Sequence, residues 1–394
     1  MAELTIRAVS QPPATLRAVA RPRCGKLVVF FTRGMSLEGW HHAGILEREI
    51  ALYRELLSDP VDRLAFVTYG GTDDLKWAHT LPGLEVLPNR WKISPNLYSV
   101  LSPWLHRASL RDATVFKANQ INGAWSAVLA KWLFGRPLIV RCGYLWADFT
   151  AHLGSTRLRR TVSRMIERVV MRRADRVVVA ADADAAVVAR LYGVVPSTIT
   201  VIPNYVDTTK FRPLPEFVGE RGRAAFVGRL EAQKNVEALI DAVAVLPGVI
   251  LTIIGDGPLR VALEARAVRS NARVEFVGRV PHAELPALLN RAELFVLPSL
   301  YEGNPKALVE AMACGIPVIG AATTGIREVL VHRESGFLCG TSSSEIRAAL
   351  VEVLNDAPLR ARLRDGGLRY VAERCSLVSA VQRERELLAE LSAA

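Results

Sequence analysis

Short apolar runs alternate with amphipathic stretches along almost the whole chain, and this alternation restricts the fold more than any other feature. The runs at 27–32 (LVVFFT), 64–68, 115–117, 138–141, 176–180 and 198–202 are too short for a typical helix, and they carry the β-branched and aromatic residues that suit a strand. Stretches of helical period separate them, notably 45–57 (ILEREIALYRELL), 123–133 and 158–173. Continuous apolar strands that alternate with helices belong to a parallel sheet covered on both faces. The pattern breaks once, over 203–222 (PNYVDTTKFRPLPEFVGERG), where prolines, glycines and charges mark a linker. A second set follows, with strands at 224–227, 249–254, 274–277, 294–298 and 317–320. Its helices start near Asn235, Leu259, Ala283 and Pro305, and 343–394 reads as helical throughout.

A chain of 394 residues is long enough for two such units. The expected plan is a flexible basic leader at 1–24, an N-terminal domain at 25–203 and a linker at 204–222. A C-terminal domain at 223–375 follows, then a final helix at 376–394 that packs back on the N-terminal domain. The fold class is α/β, two doubly wound domains facing across a cleft. Ligands in doubly wound sheets sit at the carboxyl ends of the strands, so the site is expected between the domains.

Residues 297–320, LPSLYEGNPKALVEAMACGIPVIG, carry the strongest chemical signal. A strand ends, a loop holds Glu302, Gly303 and Asn304, and Pro305 opens a helix where its missing N–H costs nothing. The free amides of a first helical turn form an anion site. Glu310 lies about 8 Å further along the axis at ~1.5 Å per residue. Two carboxylates flanking a helix N-terminus suit an elongated ligand with hydroxyls at each end and phosphates in the middle. The E-x7-E spacing alone would describe a capped surface helix; the strand before it and AMACGIPV after it favour a ligand site. A second signal is 226–235, FVGRLEAQKN, which sets Arg229 and Lys234 at a strand-to-helix turn, a cationic pair suited to a diphosphate.

These residues resemble the retaining glycosyltransferases of family 4, which have the GT-B fold of two Rossmann-like domains. The likeness rests on Glu302, Glu310 and the following 311–318 (AMACGIPV), and on Gly228, Arg229, Lys234 and Asn235. It implies transfer of a sugar from a nucleoside-diphosphate sugar, with Glu310 on the donor ribose and Glu302 on hydroxyls of the transferred sugar. It places the diphosphate at the amides after Gly303, namely Asn304, Lys306 and Ala307, because Pro305 has no N–H to offer. Arg229 and Lys234 would stabilise the leaving diphosphate, and no metal cluster is apparent in the sequence. Gly228 and Val280 would border the nucleotide, and 254–258 (IGDGP) matches a family turn rather than a full dinucleotide loop.

The N-terminal half matches more loosely. Gly34 follows the first strand where the family places a glycine loop near the donor phosphates, but the other glycines, Gly39 and Gly44, are dispersed. His41 and His42 lie in that loop, as surface residues or as cleft residues. Many family members carry His-Gly at the end of the strand 138–141; this chain has Cys142, either a buried small residue or a replacement whose polar role passes to Arg141 or Tyr144. Asn119 and Asp148 are further candidates for acceptor contact.

The net charge of +11 suits anionic partners, although an arginine-rich surface alone also produces it. Arg157–Arg173 (RLRRTVSRMIERVVMRR) concentrates it, with Leu158, Val162, Met165, Ile166, Val169 and Val170 on one apolar face. Such a helix lies on an anionic membrane or packs on its own sheet as an ordinary surface helix. No aromatic stacking platform points to nucleic acid. The five cysteines are odd in number and lack metal or redox spacing, so a reduced cytoplasmic setting is expected, with no cofactor beyond the nucleotide-sugar substrate. The leader lacks a continuous apolar core and does not read as a secretory signal, and no apolar run is long enough for a bilayer. The acceptor class stays open among glycan, lipid-linked and small-molecule hydroxyls. Two other readings fit the same motifs: a sugar-nucleotide epimerase or hydrolase, and a silent sugar-nucleotide-binding subunit.

Overall fold

Residues 23–143, 157–217 and 219–393 are described by the structure, a computed structural model, with the side chains of 157–160 outside that description. Tyr144, Asp148 and most of the leader therefore lie outside the described residues. Seven strands form the first sheet: β1 (Cys24–Phe30), β2 (Val61–Val67), β3 (Leu84–Leu87), β4 (Val115–Ala118), β5 (Leu138–Cys142), β6 (Arg176–Val179) and β7 (Ile199–Val201). Their order is β3-β2-β1-β4-β5-β6-β7, parallel throughout. Six strands form the second: β8 (Glu220–Val227), β9 (Ile250–Ile254), β10 (Val274–Gly278), β11 (Ala292–Leu297), β12 (Val318–Ala321) and β13 (Phe337–Cys339). Their order is β10-β9-β8-β11-β12-β13, again parallel. Strand order reverses beside β1 in one sheet and beside β8 in the other, so each sheet opens a crevice at the carboxyl ends of those strands.

Strand β8 begins at Glu220, inside the stretch read as linker. Its opening is polar and escapes an apolar search, yet it pairs with both neighbours, Arg223 opposite Ile250 and Glu220 opposite Ala292, with a register shift against β11 before Ala224 meets Leu294. The edge strands β3 and β13 are additional to the sequence reading. The C-terminal helical stretch divides into three α-helices. A capping box of Ser342 and Glu345 starts Ser343–Asn355, and Asp356 caps Ala357–Tyr370 by accepting from the Leu359 amide at 2.8 Å. The third is Leu377–Ala393.

One face of the first sheet is covered by α1 (Leu37–His42), α2 (Leu46–Ser58) and the C-terminal helix Leu377–Ala393, whose Ala380, Val381, Leu387, Leu388 and Leu391 share a core with Leu27, Val29, Ile50 and Leu64. The other face is covered by α3 (Pro95–Leu105), α4 (Trp125–Phe134) and α5 (Arg157–Arg173), which bury Tyr98, Ala127, Ala130, Val170 and Met171 against β4, β5 and β6. The sequence reading put one apolar face on α5, and the structure splits it. Val170 is buried and Ile166 half-buried, while Val162, Met165 and Val169 are 45%, 63% and 50% exposed. The apolar arc is wider than the sheet beneath can cover.

The C-terminal helix is fixed by charge as well as by packing. Lys117 Nζ donates to Glu384 Oε1 at 2.6 Å with both side chains essentially fully buried, and Arg141 approaches the same oxygen at 3.9 Å. Burial pushes the Lys117 ammonium below its usual pKa against the pull of Glu384. Removing one partner of such a pair leaves an uncompensated buried charge. Glu384→Leu is expected to lower stability by about 3–5 kcal/mol in denaturant unfolding, and the double change Lys117→Met with Glu384→Leu to recover most of the loss. Equal stability of the Glu384→Leu variant and the parent would remove the pair from the account.

Candidate functional site

The two crevices face each other across a cavity of about 610 Å³. Its C-terminal wall is built from two loops that lie side by side because β8 and β11 are neighbours. The Leu300 amide donates to Gln233 O at 2.9 Å and Gln233 Nε2 to Tyr301 O at 2.9 Å. Asn235, in the left-handed region at φ +53°, donates from Nδ2 to Pro298 O at 3.1 Å and Thr341 O at 2.8 Å. This zipper sets Lys234 Nζ 2.5 Å from Glu302 Oε1, with both side chains largely shielded. Gly325 allows the loop to sit where it does, since a Cβ there would stand 2.0 Å from Gly303 O. Likewise the 254–258 turn packs directly on the Gly228 turn, as a Cβ on Gly255 would lie 2.0 Å from Gly228 O.

Pro305 caps α6 (Lys306–Ala313), so the first amides, those of Lys306 and Ala307, have no carbonyl within their own helix to meet. Lys306 Nζ reaches across the domain boundary to Glu49 Oε1 at 3.2 Å. Arg48 holds the same carboxylate oxygen at 3.1 and 3.2 Å. Asn304 Nδ2 donates to Ala180 O at 3.3 Å, and Asn204 Nδ2 donates to Asn304 O at 3.0 Å. Asn304 Oδ1 is buried with no hydrogen-bond partner among the described residues.

From the N-terminal side the cavity is lined by Arg48, Glu49 and Tyr53 of α2, by Lys117, Asn119 and Gln120 at the end of β4, and by Arg141 and Gly143 at the end of β5. Strand alternation places Arg141 and Gly143 on the cavity and turns Cys142 between them fully into the core. Cys142 is thus packed away from the cleft, and the backbone of Gly143, whose amide donates to Gln120 Oε1 at 3.0 Å, faces it instead.

Several sequence candidates stand apart from this cavity. Arg229 is 68% exposed and turned to Glu231 at 2.9 Å. His41 lies against Trp77 and His42 on Glu38 at 3.0 Å, at the outer end of α1. Gly34, at φ +82°, has open space around it, and Val280 and Ala307 pack on the edge of the C-terminal core. The two glutamates open to different spaces. Glu302 faces the large cavity, whereas Glu310 is buried, pairs with His282 Nε2 at 2.9 Å and lines a small pocket with Phe211 and Arg48. The sequence reading missed His282, Glu49 and Arg48. The position of His282 just after the 276–280 element was the available signal; α2 reads only as an ordinary amphipathic helix.

No group of three or more His, Cys, Asp or Glu able to hold a metal ion occurs among the described residues. The cavity is instead rich in cations. Burial raises the Glu49 carboxyl, but the charges of Lys306 and Arg48 outweigh it and hold it at about 2, against 4.5 ordinarily. Burial, together with Arg48 and Arg141, pushes Lys306 below its usual value despite Glu49. A carboxylate lowered on folding adds stability above its unfolded pKa and loses it as pH falls through the folded one. Denaturant unfolding is therefore expected to lose ~3 kcal/mol through Glu49 as pH falls from 4.5 towards 2. The Glu49→Gln variant should lack that part of the slope; identical slopes in the two proteins would contradict the assignment.

Comparison with known proteins gives the family and the fold. Residues 207–369 match the family of glycosyl transferases group 1, and residues 54–210 match glycosyltransferase family 4. Glycogen synthase of Mycobacterium tuberculosis is 30% identical over 257 residues, 59% of this chain and 60% of that protein. D-inositol 3-phosphate glycosyltransferase of Mycobacterium bovis is 34% identical over 183 residues, 41% of this chain and 36% of that protein. The chain thus matches 60% or less of the length of these relatives. Among solved structures, sucrose-phosphate synthase of Thermosynechococcus elongatus superposes with a TM-score of 0.79 at 19% identity, over 94% of this chain and 99% of that one. HepE of Anabaena, in complex with UDP-glucose, superposes at 0.73 and 20% identity, over 93% and 99%. The two family matches adjoin to span both domains, and with the two facing parallel sheets they show that the chain belongs to the group 1 glycosyl transferases, glycosyltransferase family 4, on the GT-B fold.

Proposed function

We propose that the chain is a retaining, metal-independent glycosyltransferase that moves a sugar from a nucleoside-diphosphate sugar to an acceptor hydroxyl. The observation that carries this reading is the convergence of Glu302, with its ion-pair partner Lys234 beside it, and the N-terminus of α6 on one wall of the interdomain cavity. The helix amides and Lys234 meet the diphosphate, and Arg229 joins them by leaving Glu231. Glu302 accepts from hydroxyls of the sugar, and Asn304 Oδ1 is an acceptor still in need of a donor. Glu310 and His282 hold the ribose. The complex of HepE with UDP-glucose supports a nucleotide-sugar donor on this fold.

The chemistry follows from where charge develops. As the anomeric C–O bond breaks, negative charge grows on the leaving diphosphate, where Lys234 and the α6 amides stabilise it. The acceptor hydroxyl attacks from the same face, and a leaving phosphate oxygen takes its proton. No protein base is required, which agrees with a buried Cys142 and a bare Gly143 at the end of β5. Asn119, Gln120 and Arg141 form the acceptor wall, where a glycan, lipid-linked or small-molecule hydroxyl would enter. An anionic membrane surface at α5 and a cytoplasmic location belong to the same reading. No helix among the described residues is long and apolar enough to cross a membrane.

Proton NMR of the product from a screen of UDP-, GDP- and ADP-sugars is expected to show the anomeric configuration of the donor, with rates unchanged by EDTA. Glu302→Gln should lower kcat by about 10²–10³ with donor affinity nearly intact. An inverted product, rates that depend on a metal, or full turnover in Glu302→Gln would each refute a part of the proposal. Donor consumed without any acceptor would favour the hydrolase or epimerase reading.

A further inference from the structure

We propose that Gln120 makes a second fixed contact to the transferred sugar, its Nε2 donating to a hydroxyl on the side opposite Glu302. The proposal rests on the donor-site reading above and adds to it a residue from the other domain. Past Arg141, the last two described residues at the end of β5 bring no polar side chain to the cavity: Cys142 turns into the core and Gly143 has none to bring. Gln120 fills that space. Its Oε1 accepts from the Gly143 amide at 3.0 Å. An N–H can bond only to the oxygen of a side-chain amide, so this contact also fixes which end of Gln120 is the nitrogen. A Cβ built on Gly143 would meet Gln120 first, 2.8 Å from Nε2 and 3.3 Å from Oε1. Gly143 faces the cavity, so Nε2 lies on the cavity side of the strand end. It has no hydrogen-bond acceptor among the described residues, and the two hydrogens it carries are held in place and uncommitted.

That nitrogen stands opposite the donor loop. A Cβ built on Gly303 would lie 3.6 Å from Gly143 O, so the two walls of the cavity meet beside these residues. Glu302, next to Gly303, lines the same cavity as Gln120. Lys234 takes Glu302 Oε1, and Oε2 makes no hydrogen bond among the described residues. A sugar whose diphosphate rests on the start of α6 and whose hydroxyls reach Glu302 therefore lies against the Gln120 amide. The Glu302 carboxylate only accepts and Gln120 Nε2 only donates, while a hydroxyl does both. One hydroxyl can thus bridge them, or two on adjacent carbons can take one each. The pair selects a sugar with a free hydroxyl at that position over one that is deoxygenated or O-substituted there, since such an analogue leaves Nε2 unpaired in an enclosed site.

Nucleotide release from UDP-, GDP- and ADP-linked glucose, mannose and N-acetylglucosamine, with calorimetry on the bare diphosphates, tests it in the full chain. Gln120→Ala is expected to lower kcat/KM about tenfold or more and to leave affinity for the bare diphosphate within about twofold. Gln120→Glu still accepts from the Gly143 amide but has no hydrogen to give, so it should fall as far. Gly143 stands outside the left-handed region, so Gly143→Ala strains no backbone and acts by pushing the end of Gln120 aside. It should lower kcat/KM too, and cost little more when added to Gln120→Ala, because both act on one amide. On a series of the consumed donor deoxygenated at one carbon at a time, the parent should lose about tenfold or more at one position where Gln120→Ala loses nothing further. Parental turnover in Gln120→Glu, or an equal loss for Gln120→Ala on every deoxy donor, would overturn the proposal, since Gln120 would then only hold the strand end. If no sugar nucleotide is consumed, the donor-site reading falls and this contact with it; donor use unaltered in the variants removes this contact alone.

Discussion

The ion pair between Lys306 and Glu49 joins the two domains at the point where the site is assembled. Lys306 is the first residue of α6, and Glu49 belongs to α2. The pair sits among more cations than anions, with Arg48 and Arg141 nearby. Burial, helped by Arg48 and Arg141, lowers Lys306 despite Glu49, while the charges of Lys306 and Arg48 hold Glu49 low against its burial. A polyanion brought into such a cavity would relieve the crowding, which is in keeping with the diphosphate site proposed above. The amides at the start of α6 point into the same region by helix geometry alone.

Two parallel sheets make this arrangement possible. Each sheet delivers its loops at one end, and the second crossing of the chain ties the pieces together. The C-terminal helix returns to the first domain and buries Glu384 beneath Lys117 and Arg141. The N-terminal wall of the cavity is thus supported from behind by a residue that lies far from it in sequence. The carboxylate is out of solvent, so its influence on the wall is weakly screened by salt.

Much of the fold was legible because the signal was local. Buried parallel strands are apolar on both faces, and each strand found by that rule is present. The strands that escaped, β3 and β13, are edge strands of four and three residues, and the polar opening of β8 was hidden in the linker. The Lys234 and Glu302 loops were legible because the chemistry of a strand-to-helix turn is local too. What was illegible depends on tertiary placement. Strand alternation, not residue type, decides that Cys142 turns inward while Arg141 and Gly143 face the cleft. A helical wheel groups Met165 and Val169 with Val170, yet only the packing of α5 on its sheet reveals which stripe is left uncovered. The E-x7-E spacing brings two carboxylates onto one helix region but does not disclose that His282 takes Glu310 into a separate pocket.

The central claim is that Lys234 and the start of α6 at the large cavity, together with Glu310 in the small pocket that shares Arg48 and Tyr205 with it, bind one nucleoside diphosphate. Titration calorimetry with UDP, GDP and ADP measures this directly. The account predicts binding of at least one of them, weakened at least tenfold by Lys234→Met and again by Glu310→Gln, about the loss of one charge-assisted hydrogen bond in each. Unchanged affinity in both variants would contradict it.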